Sequence, residues 1–327
     1  MRATVIAATI SNLSNTRLAA PMIIRLIAVT LGVFGALAGH AFAGGLEVQR
    51  VTGDVYALVG PKEQRDAENL ANNATFGVVV TPDGVVLIDP GGSWNGAAAI
   101  HEAIREITDR PVVYVINSGG QDHRWLGNGY WQAQGARVIA SEAAVEDQKT
   151  RGSQQLTGLA AFLGDALNGT EPSYADITFA DTFTLDFGGL SFEITHPGPA
   201  HTPGDSFVWL EEKDTVFTGD IVYVERILGV GSQSNVKSWI EAFEAMAALN
   251  PAHVVPGHGH ATTLETATAD TYDYLVNLRT RIGALIEDGG DILEAPEIDQ
   301  SAFSYLEQFD SLDGRNAQTT FEQMEWE

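Results

Sequence analysis

Four polar clusters close short β-branched runs in this chain, and each carries Asp, His or both: Asp122-His123, His201, Asp220 and His258. Loops held by rigid strands can converge from distant parts of the sequence, and Asp and His side chains brought together so are metal ligands. Three or four N/O ligands plus water suit Zn²⁺ with one position left open for chemistry. The same set also suits Fe²⁺ or Mn²⁺. The chain has no cysteine, so a metal here has only His, Asp, Glu and water to bind. A single bound metal lowers the pKa of its water to roughly 7 and polarises a carbonyl. Asp122 or Asp220 would then orient the water or take its proton.

Converging residues so far apart in sequence requires rigid elements with loops at one edge. The apolar runs supply them. Val55–Val59, Phe76–Val80 and Val85–Ile88 read as strands, with Thr81-Pro82-Asp83-Gly84 turning the last two into a hairpin that ends at Asp89. Val112–Ile116 reads as a buried strand before the glycine-rich loop Asn117–His123. Phe183–Ile194 holds two strands around Gly188-Gly189, Ser206–Leu210 and Thr215–Phe217 are a further pair, and Val254-Val255 precedes Pro256-Gly257-His258. Apolar spacing predicts helices over 97–108, 239–249 and 264–286. Hairpin groups separated by helices predict sheets packed face to face with helices outside. The acidic segment 287–327 predicts an irregular tail anchored by Phe303, Tyr305 and Phe309, and the segment from Lys149 to Tyr174 a cover over the site.

Residues 1–43 stand apart. They carry Arg2, Arg17 and Arg25 and no acid, followed by an apolar run from Leu26 to about Ala38 and then Ala41-Phe42-Ala43. That order is the signature of a cleaved secretory signal, and it predicts a single mature domain, 44–327, in the periplasm or secreted. Loss of three arginines would take the net charge from −25 to −28. So acidic a surface argues against nucleic acid or an anionic membrane as partner. A small-molecule substrate, or a protein partner docking on the acidic face, remains.

The motifs resemble, in order and spacing, those of the metallo-β-lactamase superfamily over about residues 50–260. They are Asp89, Ser118-Gly119-Gly120-Gln121-Asp122-His123, His201-Thr202-Pro203-Gly204-Asp205, Thr218-Gly219-Asp220 and Pro256-Gly257-His258-Gly259. The resemblance implies a four-layer αββα sandwich and a hydrolase. It implies a first metal site built on two leading histidines with the His201 position, and a second built on Asp122, His123 and His258, with Asp220 often bridging. Here Ser118 and Gly120 stand at the two leading histidine positions. The resemblance therefore implies one metal, zinc above all, in the second site, with water attacking an ester, lactone, amide or lactam carbonyl, and His201, freed from the metal, as general acid/base or donor to a developing oxyanion. It also implies that Asp89 braces the loop. The gap at Ser118 and Gly120 would widen the pocket, and Gln121 and Arg124, which flank the ligands, would touch substrate.

Two other readings compete. One is a non-catalytic accessory protein that kept the fold: the export signal and the Phe321–Glu325 ending are similar to zinc hydrolase-like proteins associated with exported quinoprotein oxidation systems. The other is an iron protein, which the ligand set permits. His196 and His260 read as structural, and Trp125 as a core anchor.

Overall fold

In a computed structural model, which describes residues 43–327, two sheets stack face to face. The leader expected over 1–43 lies, but for Ala43, outside the described residues. The first sheet begins with β1 (Glu47–Thr52), β2 (Val55–Val59), β3 (Thr75–Thr81) and β4 (Gly84–Ile88), paired antiparallel. Helix α1 (Trp94–Ile107) crosses to β5 (Val112–Ile116), which lies parallel to β4. The short α2 (Asn128–Ala133) leads to β6 (Arg137–Ser141), and α3 (Glu142–Leu163) leads to β7 (Ile177–Phe179), again parallel. The second sheet contains β8 (Thr182–Phe187), β9 (Leu190–Thr195), β10 (Phe207–Leu210) and β11 (Thr215–Phe217) as an antiparallel meander. After α4 (Val236–Ala247), β12 (His253–Val255) joins β11 in parallel. Helix α5 (Leu264–Ala267) continues through a π turn at Thr268–Tyr272 into α6 (Asp273–Glu287), and α7 (Phe309–Met324) ends the chain.

The strand period of two sorts the side chains into layers. In β4, Val85 and Leu87 face α1, together with Ala97, Ile100 and Ile104, while Val86 and Ile88 face the second sheet. In β10, Val208 and Leu210 meet them, and Phe207 and Trp209 turn outward to Trp239, Phe243 and Met246 of α4. Both faces are covered, which is why these strands read as continuous apolar runs. The result is the expected four-layer αββα sandwich.

The expectation of an irregular tail does not hold for its last third. Helix α7 packs Leu312, Ala317 and Phe321 into the core formed by α4 and α6. Its polar face hid the signal: Asn316 and Thr320 are also fully buried, because Asn316 accepts from the Val230 N–H and donates to the Leu228 carbonyl. A buried polar residue is stable when every group is paired, but it breaks the apolar stripe a helix is recognised by. Phe321→Ala should cost about 3–5 kcal/mol in urea unfolding, whereas Trp326→Ala, at an 86% exposed position, should stay within about 0.5 kcal/mol.

Candidate metal centre

The parallel and hairpin pairings bring the carboxyl ends of β4, β5, β9, β11 and β12 to one edge, where Asp89, the 117–124 loop, His201, Asp220 and His258 follow. The segment after Asp220 runs beside the His258 loop. Gly257 donates its N–H to Val222, and Val224 donates to His258, so the two ligand loops move as one piece. Gly219, at φ +50°, makes the turn into Asp220, and a side chain there would strike the Ser118 hydroxyl.

His123, Asp220 and His258 converge, with their ligand atoms all within 4.8 Å of one another. His123 Nε2 stands 3.3 Å from Asp220 Oδ2, and His258 Nε2 stands 3.2 Å from Asp220 Oδ1. Neither contact is aligned as a hydrogen bond. His123 Nε2, Asp220 Oδ2 and both nitrogens of His258 are buried without a hydrogen-bond partner. Buried polar atoms are rarely left so, and two imidazoles and a carboxylate aimed at one point are a divalent-metal donor set. The residues present therefore fit a metal.

Asp122 is not among the three that converge. Its Oδ1 accepts from Arg65 Nη2 at 2.6 Å, accepts the His123 N–H at 2.8 Å and lies 3.0 Å from His123 Nδ1. Arg65 Nη2 lies 3.1 Å from the same Nδ1, so Asp122 and Arg65 both bear on that nitrogen, and Nε2 is the one turned to Asp220. Burial alone would raise the Asp122 carboxyl, but Arg65 and His123 outweigh it and hold the group below the ordinary range. Burial would likewise raise Asp220, and Arg124 with the imidazoles holds it well below. Both are acceptors at neutral pH.

His201 also lies outside the converging three, though it lines the same cavity. Its Nδ1 lies 3.0 Å from the Gly229 carbonyl, and its ring packs against Tyr223 and Trp239. A carbonyl accepts only, so Nδ1 carries the proton and Nε2 is left as an acceptor. Burial pushes its pKa down to about 4, and that of His258 well below its usual value. Tyr223 stacks on His258 with ring centroids 4.3 Å apart.

Ser118 and Gly120 are committed elsewhere. Ser118 donates from its N–H and hydroxyl to Asp89, at 2.7 and 2.8 Å. A Cβ on Gly120 would overlap the Asp147 carboxylate, which is itself held by Arg151 of the same helix α3. Gln155 donates to the Gly120 carbonyl. The expected gap is thus filled by α3 and does not widen the pocket. Residues of this helix, among them Leu159 and Phe162, wall a neighbouring groove, within the segment expected to cover the site.

Arg124 does flank the ligands, but from beneath: it is fully buried and does not line the cavity, so it is not placed to touch a substrate there. It donates to Asp89 Oδ2 (2.8 Å), Asp220 Oδ1 (2.9 Å) and the carbonyls of Thr75 (3.0 Å) and Gly257 (2.8 Å). Gln121 does line the cavity. Trp125 is buried, stacked on Tyr174 and bonded to Gln155, and His196 and His260 bond to the Asp205 carbonyl and to Glu225. Arg65, Tyr223, Arg226 and Arg315, which also line the cavity, escaped sequence reading. The one available signal was Arg226, a lone cation within the apolar run Ile221–Val230.

Fold and site together define a class. The sequence pattern of the metallo-beta-lactamase superfamily matches residues 71–258, and the chain belongs to that superfamily. A metallo-beta-lactamase type 2 from Bacteroides fragilis is 23% identical over 137 residues, 41% of this chain and 47% of that protein. This chain thus spans about half the length of that curated relative. The structure of a metallo-beta-lactamase from Pontibacter korlensis superposes with a TM-score of 0.56 at 24% identity, covering 71% of this chain and 99% of that one, which is a likeness of fold.

Two measurements test this site. Arg124→Met leaves Asp89 and Asp220 buried without their cation and should cost about 3–5 kcal/mol in denaturant unfolding. In metal-free protein, His201 takes a proton at pH 6.5 when unfolded but only near pH 4 when folded. The unfolded state therefore binds more protons between these values, and stability falls as pH falls. His201→Gln should lose less stability than the parent from pH 6.5 to 4, and an identical slope would mean that His201 titrates as a free histidine.

Proposed function

We propose that this protein is an exported metal-dependent hydrolase with one divalent metal, zinc first, held by His123, Asp220 and His258, acting on an ester, lactone, amide or lactam. The observation that carries it is the convergence of these buried, otherwise unpartnered ligand atoms beside a cavity of about 400 Å³, a size typical of small-molecule sites. Iron or manganese would fit the same donors. Export is supported by the leader pattern.

A metal bound there would supply a nucleophilic water at neutral pH and polarise the scissile carbonyl. The chain's own residues divide the remaining work. Asp122, clamped by Arg65, orients His123 from behind. Asp220, clamped by Arg124, is kept ionised as a ligand. His201 keeps an unprotonated Nε2 for the cavity, which suits taking a proton better than donating to an oxyanion. Tyr223 fixes the plane of His258.

Metal content by elemental analysis, with zinc added back, tests the reading. The parent should hold about one zinc per chain, and His258→Ala should hold none. Asp122→Asn should still bind zinc but with affinity reduced about 10–100-fold, as for loss of an orienting carboxylate. A parent that takes up no metal would end the catalytic reading in favour of the accessory protein.

A further inference from the structure

We propose that the cavity beside His123 and His258 is built for an anionic substrate, whose carboxylate or phosphoryl group is held by Arg226 and Arg315; the word substrate rests on the hydrolase reading, the anion site does not. The chain has 43 acidic residues against 18 lysines and arginines. Yet the wall of this cavity includes three arginines, Arg65, Arg226 and Arg315, and no Asp or Glu. In so acidic a protein, cations gathered in a cleft attract counter-charge rather than merely add solubility.

Arg226 is the central residue. It is only 4% exposed, and its Nε and Nη1 have no hydrogen-bond partner. A guanidinium does not shed its proton, so a buried one without an anion carries a desolvation cost of several kcal/mol. The neighbouring carboxylates are engaged. Glu307 is 2.7 Å from Lys62 Nζ, and Asp220 serves Arg124 and the two imidazoles. Arg226 therefore lines the cavity as a buried cation with no carboxylate of its own, and a guanidinium is suited to carboxylate or phosphate oxygens.

Arg315 approaches from α7, is exposed at the cavity mouth, and makes no ion pair among the described residues. Its Nη2 lies against Gly229, whose carbonyl holds His201. Arg65 closes the other side but is spent on Asp122. An anion between Arg226 and Arg315 would sit beside His201 and His258, so the two arginines would fix the charged end of a substrate whose scissile bond lies over the metal ligands. Arg315 lies outside residues 71–258, the part matched by the superfamily pattern.

Calorimetric titration of inorganic phosphate and of succinate tests this, on the protein as purified and on metal-stripped protein freed of chelator. At least one anion should bind saturably in both. Arg226→Gln should weaken it tenfold or more, Arg315→Gln several-fold, and Arg281→Gln, on the far surface, not at all. Phosphate binding alone would mark a phosphoryl group, and succinate binding alone a carboxylate. Thermal unfolding gives a second readout. Without anion, Arg226→Gln should melt no lower than the parent, since it removes an unpaired buried charge, and phosphate or succinate should raise the melting temperature of the parent only. Should that variant fail to fold, Arg315→Gln carries the test from its exposed position. Equal affinity in the parent and both variants, or no anion binding in a protein that does hold zinc, would overturn the anion site and leave the hydrolase reading intact. Anion binding in a protein that takes no metal would do the reverse.

Discussion

The structure depends most on one buried cation. Arg124 reaches from the β5 loop to Asp89 after β4, Thr75 in β3, Gly257 after β12 and Asp220 after β11. These acceptors belong to both sheets, so one guanidinium ties the two carboxyl edges together. A fully buried arginine is tolerated because carboxylates and carbonyls around it balance the loss of water. The same contact sets the electrostatics of the site. Asp220 stays ionised between Arg124 and two imidazoles, and Asp89, held by Arg124, holds Ser118 in turn.

Ser118 and Gly120 leave no hole in the loop after β5. Ser118 joined the Asp89–Arg124 network, and Gly120 let the Asp147–Arg151 pair of α3 close against the loop backbone. The loop is thus braced from below by charge and from the side by a helix. His123, Asp220 and His258 converge at this loop, and Asp122 lies next to them, paired with Arg65.

Charge is distributed with the same economy. Four cations of this strongly acidic chain gather at the site: Arg124 under it, Arg65 behind His123, and Arg226 and Arg315 in the cavity wall. The π turn at Thr268–Tyr272 supports this wall from outside. Thr271 accepts the Tyr223 N–H and donates to the Tyr223 carbonyl, and Asp270 accepts from Glu225, which fixes the segment carrying Tyr223 and Arg226.

The sequence by itself determined the strands that carry the site, because strands buried on both faces are written as uninterrupted Val, Ile, Leu and Phe, and the loops at their ends as Gly, Pro, Asp and His. It named His123, Asp220 and His258 from residue type and motif order. It did not show that Asp122 pairs with Arg65 while the other three converge, since the partner of a carboxylate is not written in the loop that carries it. It also did not show α7, whose buried Asn316 and Thr320 interrupt the apolar stripe, nor that Arg124 lies under the site while Arg226 faces the cavity. Those assignments belong to the tertiary structure, because whether an arginine is a brace or a receptor depends on which acceptors distant loops bring within 3 Å of it, and no local pattern encodes that distance.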